Sequence, residues 1–199
     1  MHPNPLFRSD DTALLDRLVE RHSFASIFLT TPDGPRVAHT PLLPAGVGKW
    51  RFHLARGNAL TRHLDGARAL AVAQGPHGYI SPRWYADRAT VPTWDYVAVE
   101  LEGPVRQLSQ HELDAFLYEL IDRHEGGLPG DAWSPQETPR AVWDALLKGI
   151  AGFELTVDIT RPTLKLSQKR GAQERATIAA GLKAAGNTEL AVAMRDRTA

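Results

Sequence analysis

The sequence predicts a mainly β, or α+β, domain built on a small antiparallel barrel with packed helices. Three observations predict it. Roughly six or seven short strand-like segments follow one another, mostly through hairpin-type turns. Helical patterns lie between and after the strands without alternating with them one for one, which argues against a doubly wound parallel sheet. One stretch, Gln74–Tyr96, sets Tyr79, Trp84, Tyr85, Trp94 and Tyr96 among Gly75, Pro76, Gly78, Pro82 and Pro92. That composition reads as an aromatic loop, not a helix or a long strand. Rings of this size left in water would cost roughly 1.5–3 kcal/mol each, so the loop is expected to pack over a core or to line a pocket or partner surface.

The elements follow in order. Asp10 and Asp11 offer caps to a helix with Leu14, Leu15, Leu18 and Val19 at helical spacing. Phe24–Thr30 reads as a strand apolar on both faces, and therefore central. Thr31-Pro32-Asp33-Gly34 turns it into a second strand, Arg36–Leu43. Gly46-Val47-Gly48 turns again, into Trp50–Ala55, where Phe52 and Leu54 alternate with Arg51 and His53. Asn58 caps a short helix that Gly66 closes, and Ala69–Ala73 is a buried strand. After the aromatic loop, Val97, Val99 and Leu101 share one face of Tyr96–Glu102, and Gly103-Pro104 marks a bulge before Val105–Leu108. Ser109-x-x-Glu112 is a capping box opening a helix with Leu113, Phe116, Leu117, Leu120 and Ile121, ended by Gly126-Gly127. A second helix covers Arg140–Lys148. Phe153, Leu155, Val157 and Ile159 alternate in one long last strand, which Leu164 and Leu166 extend. The tail is helical, with Thr188 capping its final segment. No linker divides the chain, so one domain is expected over 1–186, followed by a helical tail over 187–199.

The composition excludes whole classes of chemistry. The 199 residues include no cysteine, so disulfides, zinc–thiolate sites, iron–sulfur clusters and thiol catalysis are ruled out. Lys plus Arg and Asp plus Glu both number 23, which weighs against tight autonomous DNA binding. The one local basic excess is Arg161, Lys165, Lys169 and Arg170. The first residues lack an apolar signal core, and no apolar run approaches the ~20 residues that span a bilayer, so a soluble cytoplasmic protein without a membrane partner is expected. The histidines form no recognisable metal set, and no hydrolase elbow, P-loop or dinucleotide fingerprint is present. No catalytic residue and no metal ligand is assigned.

Three segments carry candidate chemistry, each beside a plainer reading. His53-Leu54-Ala55-Arg56-Gly57-Asn58 joins a strand to a helix N-terminus and suits an anion, or is an ordinary turn with a surface Arg. Val91-Pro92-Thr93-Trp94-Asp95-Tyr96 offers rings to a planar heterocycle, or anchors its loop. Lys165-Leu166-Ser167-Gln168-Lys169-Arg170 suits an anionic ligand or nucleic acid, or is a solvated basic edge. His39 and His53 lie on neighbouring strands where they could converge. Glu100 and Glu102 read as solvent-facing.

Several strings in register resemble the PaiB-type FMN-binding negative transcriptional regulators, a branch of the FMN-binding split-barrel proteins. They are Pro5-Leu6-Phe7, Ala38-His39-Thr40-Pro41-Leu42-Leu43, His53–Asn58, Gln74-Gly75-Pro76-His77, Tyr79–Tyr85, Val91–Tyr96, Gly152-Phe153-Glu154 and Lys165–Gln168. The resemblance implies a split β-barrel (antiparallel, Greek-key-like) that forms a homodimer with FMN at the interface. It implies a flavin phosphate near His53, Arg56 and Asn58, an isoalloxazine near His39 and Thr40, and Thr93, Trp94 and Tyr96 contributed by the second subunit. Lys165 and Gln168 are typical of the family and complete the expected flavin set. This chain departs from the pattern at Ala38, Thr40, Asp95 and Lys169, where the family commonly has Ser, Leu, Asn and Asn. Asp95 adds a negative charge beside the expected flavin. The implied function is negative transcriptional regulation through DNA or a regulatory protein partner. The same barrel also hosts flavin-dependent oxidoreductases using NAD(P)H, for which His77 and Tyr79 are the candidate proton donors, and haem-binding or haem-degrading proteins.

Overall fold

The computed structural model describes residues 2–196; Met1 and residues 197–199, the end of the expected tail, lie outside the described residues. Eight strands and six helices are present among them. The strands are β1 (Phe24–Thr31), β2 (Gly34–Pro41), β3 (Leu43–Pro44), β4 (Lys49–Ala55), β5 (Arg68–Ile80), β6 (Thr93–Gln107), β7 (Ile150–Thr156) and β8 (Ile159–Lys165). The helices are α1 (Thr12–Arg21), α2 (Thr61–Leu64), α3 (Gln110–Glu125), α4 (Arg140–Leu147), α5 (Ala172–Ala184) and α6 (Thr188–Asp196). The sheet order is β2-β1-β5-β6-β7-β4-β3, with β8 added to β6. This is the α+β class expected, built on antiparallel registers such as Phe24↔Pro41 and Phe52↔Phe153.

The chain resolves into two compact units: Met1–His22, Val72–Glu100 and Thr160–Ala199 in the first, and Ser23–Ala71 with Leu101–Ile159 in the second. In the second unit, α3 is opened by the expected capping box, Ser109 bonding the Glu112 N–H and Glu112 bonding back. Its apolar stripe puts Leu113, Phe116 and Leu120 against Leu43, Leu108 and Leu147. Packing this tight needs Gly152, where a Cβ would stand 2.9 Å from both Leu108 and Leu113. The β1–β2 hairpin closes on Gly34 at φ 97°, a left-handed value that glycine adopts without strain. In the first unit, α1 is capped by Asp11, whose carboxylate accepts the Leu14 N–H at 3.0 Å, and it buries the four predicted apolar residues.

Five expectations are corrected. The Gln74–Tyr96 segment is not one loop: β5 continues to Ile80 and β6 starts at Thr93, which leaves residues 81–92 as the connection. Glycine is what lets the strand continue, because neighbours press on it. A Cβ at Gly75 would meet the His22 ring and Val97 at 3.2 Å, and one at Gly78 would meet Asn187 at 2.5 Å. Strand β1 is not apolar-buried on both faces; it alternates, leaving Phe24 and Phe28 exposed. The last long strand is two, β7 and β8, parted at Val157-Asp158. Asn187, not Thr188, caps α6, its side-chain oxygen accepting the Leu190 N–H at 3.2 Å. The expected bulge at Gly103 is instead a close approach within a continuous β6, where a Cβ would stand 1.8 Å from the Thr156 carbonyl oxygen.

Candidate functional site

Thr93, Lys165 and Gln168 meet in the first unit. The first residue of β6 and the last of β8 bring Thr93 and Lys165 side by side. The Lys165 ammonium donates to the Thr93 hydroxyl and to the Trp94 carbonyl, each at 2.5 Å. It also lies 3.7 Å from Asp95, with 15% of its own side chain exposed and 1% of that acid's. Asp95 accepts the Ser167 hydroxyl at 2.5 Å on one oxygen; its other oxygen is enclosed and makes no hydrogen bond. Burial pushes the Asp95 carboxyl above its ordinary pKa, against the opposing effects of Ser167 and Lys165. Ser167 holds φ 55°, the one left-handed residue other than glycine among those described. Gln168 ties this turn, accepting the Leu166 N–H and donating to the Leu164 carbonyl.

These groups wall a cavity of about 320 Å³ that Tyr85, Lys169 and Arg170 also line. The Arg170 guanidinium lies 4.1 Å above the Tyr85 ring, a cation–π contact, and 3.5 Å from Glu174. Tyr85, Asp95, Ser167, Lys169 and Arg170 were not among the predicted ligands. Their signal in the sequence was the basic strip and the substitution of Asp for Asn; the backbone twist at Ser167 had none.

Trp94 points to the other face of β6, since side chains alternate along a strand. It is half exposed and packs against His77, stacked at 6.0 Å between centroids, and Tyr79, edge-on at 6.4 Å. Tyr96 shares that face by register and is half-buried. The aromatic stretch therefore does both things open to it: Tyr85 is buried, whereas Trp94 and Tyr79 present their rings.

The remaining predicted residues belong to the second unit. His39 bonds Ser26 at 3.0 Å and stacks on Phe24 on the exposed face of β2. Thr40 faces the other way, buried, its hydroxyl donating to the His53 carbonyl at 2.8 Å. The His53 ring lies 6.0 Å from Phe116, its Nδ1 enclosed without a partner, and burial lowers its pKa. The two imidazoles thus have separate partners. Arg56 Nε donates to the Lys148 carbonyl at 2.7 Å, and the Asn58 side-chain oxygen accepts the Leu60 N–H at 2.9 Å. A Cβ at Gly57 would meet nothing within 4 Å, so the protein's own packing does not require glycine in this turn.

Glu100 and Glu102 are not simply solvated: Arg161 bonds Glu100 at 2.8 Å, and Arg68 bonds Glu102 at 3.3 Å. Glu154 is a buried acid that sequence reasoning missed. Burial pushes its pKa up, but hydrogen bonds from Arg106 and Arg51 and the charge of Lys49 outweigh burial and hold it below the ordinary value.

The first unit's residues fit a phosphorylated heterocycle. Three cations and two hydroxyls line the cavity, one Asp95 oxygen there makes no hydrogen bond, and Trp94 presents its ring on the opposite face of β6. Residues 1–159 match the family model described as "Putative FMN-binding domain", and the chain belongs to that family of FMN-binding split-barrel proteins. It is 33% identical over 159 residues to the protease synthase and sporulation protein PAI 2 of Bacillus subtilis, covering 76% of this chain and 74% of that one. Its fold is similar to that of a FAD and haem binding protein from Mycobacterium smegmatis, with TM-score 0.61 and 20% identity, covering 87% of this chain and 79% of that one. It is also similar to the flavocytochrome Anf3 of Azotobacter vinelandii, with TM-score 0.59 and 14% identity, covering 83% and 72%. Among the described residues no helix is long and apolar enough to cross a membrane.

Proposed function

We propose that this chain is a flavin-loaded negative transcriptional regulator that works as a homodimer with FMN at the interface. The observation that carries the flavin part is membership of an FMN-binding family over residues 1–159. The likeness to PAI 2 supports a regulatory role, and the balanced charge points to action through a protein partner or through a restricted basic patch.

When bound, flavin supplies a planar redox-active ring system. This chain's own residues bind and orient it. Trp94, on the opposite face of β6 from the cavity and held by His77 and Tyr79, offers a stacking face to the second flavin of the dimer. Thr93, Lys165 and Gln168 supply polar contacts from an already organised network. In the second unit His39 and Thr40 remain proposed contacts of the ring system, and His53, Arg56 and Asn58 a rival anion turn; in the first, Tyr96 remains a proposed flanking group.

Retardation of promoter DNA by the FMN-loaded protein, lost steeply as salt rises, is the expected result for direct repression; no retardation at low salt overturns it. A flavin-dependent oxidoreductase is the second reading, favoured by the exposed His77 and Tyr79 beside Trp94. Turnover of NAD(P)H with an acceptor would select it. The solved structures of similar fold named for haem set a third outcome, a Soret band on haem titration.

A further inference from the structure

We propose that the cavity walled by Lys165, Lys169 and Arg170 is a subsite for a phosphate monoester, with Asp95 as a positioning residue beneath it. The proposal rests on the flavin reading and deepens it, because the flavin's own phosphate is one source of that group.

Three features meet at this place. The first is an ammonium kept out of water. Lys165 is mostly enclosed; its ammonium is held by the Thr93 hydroxyl and the Trp94 carbonyl, and the acid paired with it, Asp95, stands 3.7 Å away. Those two oxygens carry no net charge, and an acid at that distance neutralises the enclosed cation only in part. The second is the orientation of that acid. Asp95 spends one oxygen on the Ser167 hydroxyl and keeps the other enclosed. It holds Lys165 and the turn in place from the cavity wall, through the ion pair and the Ser167 hydrogen bond. The third is a strained turn that delivers two more cations. Ser167 adopts φ 55°, and its carbonyl accepts the Arg170 N–H at 2.9 Å, which brings Lys169 and Arg170 to the cavity wall. Tyr85 beneath Arg170 fixes the guanidinium plane, while Glu174 neutralises part of its charge.

Strain, an enclosed ion pair and convergent donors in one small cavity are what recognition of a compact anion requires. A cavity of about 320 Å³ has room for a phosphate and the few atoms that carry it. The rival turn is differently committed: Arg56 Nε is bonded to the Lys148 carbonyl, and the Asn58 oxygen to Leu60.

The test compares FMN, riboflavin and inorganic phosphate. Three proteins are used: the unmodified chain, the double variant Lys169→Ala/Arg170→Ala, and Arg56→Ala. Flavin affinity is read by fluorescence, and phosphate binding by thermal melting with FMN saturating. The expected result is a preference for FMN over riboflavin of roughly tenfold or more, lost in the double variant with riboflavin affinity kept. Should the preference persist but phosphate raise the melting temperature of the unmodified chain alone, the subsite takes a separate phosphorylated molecule, which also supports the proposal. Loss of the preference in Arg56→Ala, with the double variant intact and indifferent to phosphate, overturns it. Failure of both flavins to bind would end the flavin reading, and the phosphate melts would then decide the subsite alone.

Discussion

Gly103→Ala is expected to damage the second unit severely, and the size of the effect follows from one distance. Gly103 lies mid-way along β6, and a Cβ there would stand 1.8 Å from the Thr156 carbonyl oxygen. Real Cβ contacts essentially never fall below 3.0 Å, so the two backbones must part by 3.0 − 1.8 = 1.2 Å. The hydrogen bond from the Asp158 N–H to the Glu102 carbonyl, at 3.1 Å, cannot survive that separation. A contact this short puts the overpacking near the top of its usual range of about 1–3 kcal/mol, and the lost hydrogen bond adds about 0.5–1.5, giving roughly 3–4 kcal/mol. For a chain of this size that is a fall in Tm of roughly 6–15 °C. Gly57→Ala is the counterpart, since its Cβ meets nothing, and its Tm is expected within about 2 °C of the unmodified chain. Thermal melts followed by circular dichroism measure both. A Gly103→Ala protein melting within about 2 °C of the unmodified chain would refute the register of β6 against β7 and the reasoning built on it.

Asp95 gives a pH-dependent prediction. Its pKa is raised in the folded chain, so folding favours the protonated form. The stability it contributes is full below the unfolded value near 3.8 and is lost as pH rises through the folded pKa. Asp95→Asn, which keeps an acceptor for Ser167, is therefore expected to raise Tm by a few degrees at about pH 7 and to change little at about pH 3.5; melts across that range check it. Glu154→Ala strands Arg51, Arg106 and Lys49, but these are partly exposed and rehydrate, so the expected cost is about 2–3 kcal/mol, below the range for a fully enclosed pair. Urea unfolding would read that loss directly.

The sequence was most legible where local rules and burial agree. Asp11 and Ser109 cap the helices assigned to them because each is followed by apolar residues at helical spacing. Gly34, Gly46 and Gly48 mark turns because their backbone needs positive φ. The reading failed where glycine served packing instead. Gly75 and Gly78 look like turn formers, yet they lie within β5 because the His22 ring and Asn187 press against it. Half of the candidate site was visible in the same way. Thr93 and Lys165 are far apart in sequence and meet only through strand ends, yet their motifs flagged both. Ser167 escaped notice because no local pattern encodes its left-handed backbone or its bond to Asp95, which is 72 residues away in sequence. His39 and Thr40 were grouped as neighbours in sequence, although alternation along β2 turns them to opposite faces.

The most direct test of the flavin assignment is the absorption spectrum and native mass of the purified full chain after incubation with FMN. The account predicts a yellow protein carrying about one flavin per chain, with Trp fluorescence quenched by the ring stacked on Trp94. A colourless protein whose mass and fluorescence are unchanged at saturating FMN would contradict it.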